Sequence, residues 1–195
     1  LMAILPLDVQ NALKKQAPKA LRREFEKKAK REFKEIKAEM IKEFLSHPVT
    51  QEIMEGPSAA NISGTLGGVT NLFAFIGFDS GEQPVRPILN LLETVNLIYN
   101  KEYTEKGIGV SFNVFLPTAE DIFAITPLPW AMGRSWSEGI ERGISGLGYL
   151  LRKSGGRSGV AVQSRVSKVR GGRFQNTPYI SSFIKRYKKR FEELK

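Results

Sequence analysis

Cysteine is missing from the chain and histidine occurs once, at His47. The first absence removes disulfides, thiolate metal sites and cysteine nucleophiles together, and it suits a chain made in a reducing cytosol. The second leaves no histidine pair to hold a metal. A Ser–His–Asp set would have to use His47, which stands before Pro48 at an expected helix end and reads as a turn or capping histidine. No apolar run approaches the roughly 20 residues that span a bilayer, so no membrane partner is expected. The opening Leu1–Pro6 is too short for a signal segment and lacks a basic start.

Other reactive patterns are equally thin. Gly64-Thr65-Leu66-Gly67-Gly68 lacks the Lys-Ser/Thr that completes a phosphate-binding loop and has no clear strand before it. Gly171-Gly172-Arg173 is too short for a nucleotide fingerprint. Glu120 and Asp121 are adjacent and cannot aim at one point from a regular element. Glu138 and Glu141, three apart on an expected helix, could share a face and read as solvated surface. The expectation is a chain without a catalytic set, a cofactor or a metal.

What is present is enough for a folded body. The 195 residues, with 12 phenylalanines, can bury one core, alone or with appended helices. The net charge of +10 is unevenly spread. Residues 1–46 carry 12 basic and 7 acidic side chains, residues 47–147 carry 5 and 11, and residues 148–195 carry 13 and 2. Such a basic surplus favours phosphate polymers or acidic protein faces, and the acidic middle permits head-to-tail contact between copies.

Periodicity sets the outline. From about Pro18 to Leu45, Leu21, Phe25, Ala29, Phe33, Ile36, Met40 and Phe44 recur at spacings of four and three, one face of a long helix. Glu35 and Glu39 are expected to pair with Lys37 and Lys42 on nearby turns. Pro48 stops this helix, and a short helical turn from Val49 to Glu55 ends at Gly56-Pro57. Ser58–Asn71 reads as a surface loop. Leu72–Phe78, a nearly continuous apolar run, reads as a covered strand. A short helix over Pro84–Thr94 and two strands, Val95–Tyr103 and Ile108–Leu116, follow; in the second, Val110, Phe112, Val114 and Leu116 alternate with more polar positions. Thr118 with Asp121 opens a single helical turn. Ser135–Leu151 reads as a glycine-bearing helix and Gly159–Arg170 as a third strand. Thr177-Pro178 then starts a terminal helix with Ile180, Phe183, Ile184, Tyr187, Phe191 and Leu194 on one face.

The resulting expectation is an α+β fold in a single domain over 1–195. A helical arm (1–46) and a C-terminal helix (171–195) flank a loop-rich sheet region (47–170) with a small antiparallel sheet. Two groups of residues stand out as contact candidates. Leu72, Phe73, Phe75, Phe78, Trp130 and Trp136 are large apolar groups suited to a core or a subunit interface alike. Arg152, Lys153, Arg157, Arg165, Lys168, Arg170 and Arg173, with the cluster Lys185–Arg190, could face DNA or an acidic partner, with Phe174 and Tyr179 interleaved as stacking groups.

The segments Phe44-Leu45-Ser46-His47-Pro48-Val49-Thr50 with Glu52-Ile53, Ser63–Gly68 with Asn71–Phe78, and Gly133–Trp136 with Gly139–Ile144 resemble the neck and tail-completion proteins of tailed, contractile-tailed bacteriophages. Together these segments fall within residues 44–150. The resemblance implies a structural virion protein that forms a homo-oligomeric ring between the portal or connector and the tail proteins. DNA would pass through its channel without its sequence being read. No catalytic residue is carried over by it. The alternative is a sequence-independent nucleic-acid-binding protein that uses the basic C-terminal third.

Overall fold

The computed structural model describes residues 7–66, 71–104, 107–129, 131–142 and 177–194. The element order is α1 (Leu7–Ser46), α2 (Pro48–Met54), a 3-10 turn (Gly56–Ser58), α3 (Leu72–Ile76), α4 (Arg86–Glu93), β1 (Asn96–Thr104), β2 (Gly107–Phe115), α5 (Ala119–Ala124), β3 (Pro127–Leu128), β4 (Ala131–Ser135), α6 (Trp136–Arg142) and α7 (Ile180–Glu192). Two antiparallel two-stranded sheets, β1–β2 and β3–β4, complete an α+β fold.

At 40 residues α1 is about 60 Å long. It begins at Leu7 rather than near Pro18, because residues 7–17 contain no glycine and are dominated by good helix formers. Its expected stripe is the packed one: Ala29, Phe33, Met40 and Phe44 are buried, while Phe25 at the N-terminal end of the stripe is 52% exposed. α7 runs antiparallel along this stripe. Phe191 lies 5.5 Å from Phe33 between ring centroids, and Phe183 lies 5.9 Å from Phe44. Ile180, Phe183, Ile184, Tyr187, Phe191 and Leu194 are all buried, as the spacing predicts. The helix itself starts at Ile180, two residues after Pro178.

Leu72–Phe78 is a correction. The segment forms the five-residue helix α3, not a strand. Asn71 caps it by accepting from the Ala74 N–H at 2.8 Å, and Gly77 ends it with φ of 87°, the left-handed conformation that glycine adopts without a Cβ penalty. Both signals lie in the sequence, but an apolar run has no polar face to betray a helical period. A second difference is the β3–β4 hairpin, whose Pro127 and bulged pairing conceal the strand pattern.

β1 and β2 pair in register with Leu97 opposite Val114 and Tyr99 opposite Phe112. All four side chains are half-buried, with Leu97, Phe112 and Val114 packed against the core, as the alternation in the second strand predicts. Tyr99 donates its hydroxyl to the Glu26 carbonyl of α1 at 3.0 Å. Thr118 and Asp121 form a full capping box on α5, and two hydrogen bonds from Thr118 hold the Asp121 pKa below its ordinary value.

Candidate interaction surfaces

Buried polar groups lock the elements into one body. His47 caps α2, its Nδ1 accepting from the Val49 N–H at 3.3 Å, while its ring packs 4.9 Å from Tyr179. Burial lowers the His47 pKa, with nearby Glu43 opposing that shift and Arg186 adding to it. The capping role expected for this histidine is therefore the one it plays. Tyr179 is buried with its hydroxyl 2.8 Å from that of Thr50, and burial raises its pKa, so it packs inside and is not a stacking surface.

The structural role of Glu52 is not legible in the sequence. The residue is fully buried on α2, and its two carboxylate oxygens accept from the Leu72 N–H at 2.7 Å and the Ser63 N–H at 2.9 Å. Asn71 adds donations from its Nδ2 to the Pro57 and Ala59 carbonyls, at 2.8 and 3.1 Å. Together these contacts tie the expected surface loop down at both ends, with Thr65 and Asn71 buried. A glutamate in a short polar segment carries no pattern that announces two backbone partners 11 and 20 residues away. Near the β3–β4 hairpin, the hydroxyls of Thr126, Ser135 and Ser137 form a second buried cluster, at 2.7 Å, 2.7 Å and 3.1 Å.

The apolar contact candidates divide into two sets. Leu72, Phe73 and Trp136 are 0, 2 and 1% exposed, so they belong to the core of the chain, not to a face available to a neighbour. Phe75 and Phe78 are half-buried against that core, and Phe78 meets Trp136 edge-on at 5.9 Å. Trp130 lies outside the described residues. The reason for the correction is that α3, as a helix, turns Leu72, Phe73 and Ile76 inward together, whereas a strand would have alternated them.

Among the described residues the exposed large apolar groups are Phe25, Met54 and Ile62, each outside the sheet, and a pair on the hairpin. On the outer face of β1–β2, Ile98 and Phe115 are 44 and 63% exposed. The register sets Asn96 opposite Phe115 and Ile98 opposite Asn113, so Ile98 and Phe115 are diagonal neighbours on one face. Beside them an open groove of about 530 Å³ is lined by Leu91, Ile98, Phe115, Leu116 and Pro117, with Thr94, Asn96 and Asp121 among them. Among the described residues no further strand pairs with either outer edge of this sheet.

Charges are sorted around α1. Glu39 and Glu43 point toward α7, where they pair with Arg190 at 2.7 Å and with Arg186. Tyr187 donates to Glu43 at 2.6 Å, and Arg190 lowers the Glu39 pKa by hydrogen bonding. Lys37 donates to the Glu93 and Val95 carbonyls at 2.6 and 2.7 Å, closing the C-terminal end of α4. Glu39 thus pairs with another element, and Lys37, expected to pair within α1, donates to backbone carbonyls instead. Of the cluster Lys185–Arg190, the two arginines are committed to α1, and Lys185, Lys188 and Lys189 remain exposed. Arg152, Lys153, Arg157, Arg165, Lys168, Arg170 and Arg173, Phe174 and the expected strand 159–170 lie outside the described residues.

Glu138 pairs with Arg142 at 2.9 Å, and Glu141 accepts from the backbone and hydroxyl of Ser181 at the start of α7. Both are thus engaged structurally. Among the described residues no cluster of acidic groups and histidine is arranged to hold a metal, and no helix is long and apolar enough to cross a membrane. Compared with family models, curated proteins and solved structures, the chain finds no match.

Proposed function

We propose that this chain is a structural virion protein that assembles as a ring at the neck of a tailed bacteriophage, around the DNA channel between head and tail. The observation that carries the reading is the outer face of β1–β2. A two-stranded sheet that no further strand pairs with among the described residues, exposed Ile98 and Phe115 and an adjoining, mainly apolar groove make a surface that gains from being covered by another copy. A helix about 60 Å long supplies a second element able to reach a neighbour. The resemblance of short segments within residues 44–150 to neck and tail-completion proteins is what points to this location. In this reading the elements act by burial: contacts between copies offset the entropy of ordering them.

Electron micrographs of the purified chain, alone and in assembled particles, test the proposal. Closed rings of fixed symmetry located between capsid and tail are the expected result. A chain that remains a monomer at high concentration and never enters particles refutes it. The second reading, sequence-independent nucleic-acid binding, is favoured by Lys185, Lys188 and Lys189 standing exposed on α7. Titration with duplex DNA across a salt series distinguishes it, since binding through these cations weakens steeply as salt rises.

A further inference from the structure

One helical face combines exposure with a single sign of charge. Arg23, Lys27, Lys30, Arg31 and Lys34 of α1 are all exposed. At 100° per residue they fall within an arc of about 100°, centred roughly 130° from the buried stripe of Ala29, Phe33 and Met40. Along the axis they span about 16 Å. None of the five makes an ion pair among the described residues, whereas the neighbouring Arg22 and Lys28 pair with Glu26 and Glu32 at 2.6 and 3.7 Å. Of the acids beside these residues, Glu26 and Glu32 lie away from the arc and pair with Arg22 and Lys28, while Glu24 and Glu35 border it.

That arrangement sets like charges side by side, although Glu26 and Glu35 stand four residues from Lys30 and Arg31. Arg23/Lys27, Lys27/Arg31 and Lys30/Lys34 are like charges at i,i+4, and each such pair destabilises an isolated helix. Solubility needs only mixed charge, so it does not account for the segregation.

We propose that this basic arc binds the phosphate backbone of double-stranded nucleic acid without reading sequence. A duplex presents a negative charge every ~1.7 Å of axis, so a rod of five cations can neutralise several phosphates along one side. A protein partner fits less well, because interface cores are depleted in lysine and need apolar anchors, and this arc offers none between residues 23 and 34. A single strand also fits less well, because its usual stacking platform is missing: Phe25 lies on the opposite side of the helix. The arc is separate from the lysines of α7, and its binding to a duplex does not require ring formation.

The test is fluorescence anisotropy of the full chain with a mixed-sequence duplex between 50 and 200 mM salt. The variant R23Q/K27Q/K30Q/R31Q/K34Q is expected to flatten the log K against log salt slope by about four, close to 0.9 for each phosphate no longer neutralised, and to weaken binding more than tenfold at the lower salt. K185Q/K188Q/K189Q is expected to change the slope less. Circular dichroism verifies that α1 survives, since glutamine is nearly as good a helix former as lysine. Should the fivefold variant unfold, R23Q/K27Q and K30Q/K34Q, each taking about two from the slope, give the same answer. An unchanged slope, no binding by the parent chain, or equal binding of polyglutamate at matched charge overturns the proposal, the last in favour of an acidic protein. Native mass measured on the same variants reads ring formation separately, so the two proposals fail independently.

Discussion

Replacing Glu52 by glutamine isolates one buried interaction with almost no change of shape. The carboxylate receives two backbone N–H groups, from Ser63 and from Leu72 at the start of α3, and the residue is fully buried. Glutamine keeps one acceptor but turns an NH2 group toward the other N–H, donor against donor. The loss of one hydrogen bond to a charged group, at about 1.5–3 kcal/mol, is therefore accompanied by an unsatisfied donor, while relief of the carboxylate's own desolvation offsets part of the cost. A net loss of about 2 kcal/mol is expected from E52Q, and E52A should lose more, because both N–H groups are orphaned. For a chain of this size each kcal/mol moves Tm by about 2–4 °C, so E52Q should melt about 4–8 °C below the parent. Urea unfolding at constant m-value, followed by circular dichroism and tryptophan fluorescence, separates this loss from a change in the unfolded state. A midpoint within about 1–2 °C of the parent would refute the reasoning that Glu52 clamps the loop and α3 to α2.

Three further outcomes follow from the packing. His47 is held neutral by burial, so its folded-state pKa lies below the unfolded value of about 6.5. Its contribution is present above that pH and fades as pH falls through the folded pKa; H47N, which keeps a capping oxygen, should therefore narrow the stability gap between pH 7.5 and pH 5.5. A gap equal to that of the parent contradicts the assignment. Trp136 is 1% exposed at the meeting of Phe78 and Tyr179, so W136A should cost about 3–5 kcal/mol in denaturant unfolding, and a cost under about 1 kcal/mol is inconsistent with this core. Y187F retains the ring packing but leaves Glu43 without its hydroxyl partner. A loss of about 1–3 kcal/mol is expected, and neutrality to substitution would mean that the bond makes no net contribution.

The helices with one apolar face are legible in the sequence. α1 and α7 alternate large apolar groups with Lys, Arg and Glu, and that contrast survives in the observed burial of Phe33, Met40, Phe183 and Tyr187. The β1–β2 hairpin is legible for the corresponding reason at a period of two. Leu72–Phe78 lacks that contrast and so reads as a strand, although Asn71 and Gly77 mark the ends of a helix. The contact surfaces are harder still. Phe73 and Trp136 have the composition of an interface, yet they are spent inside, while the exposed Phe115 is one more residue in an alternating strand. Likewise, the basic arc of α1 follows from residue spacing, but which cations of α7 stay exposed depends on Arg186 and Arg190 reaching Glu43 and Glu39, 143 and 151 residues away.

If the molecule works by contact between copies through the outer face of β1–β2, the native mass of the parent chain beside I98E/F115E, read by light scattering, shows it without further assumptions. Both side chains are exposed, so the double variant should keep the parent's stability to within about 0.5 kcal/mol. A multiple of the chain mass for the parent that falls toward a single copy in the variant is the predicted result. A parent that is already monomeric, or a variant whose assembly is undiminished, contradicts it.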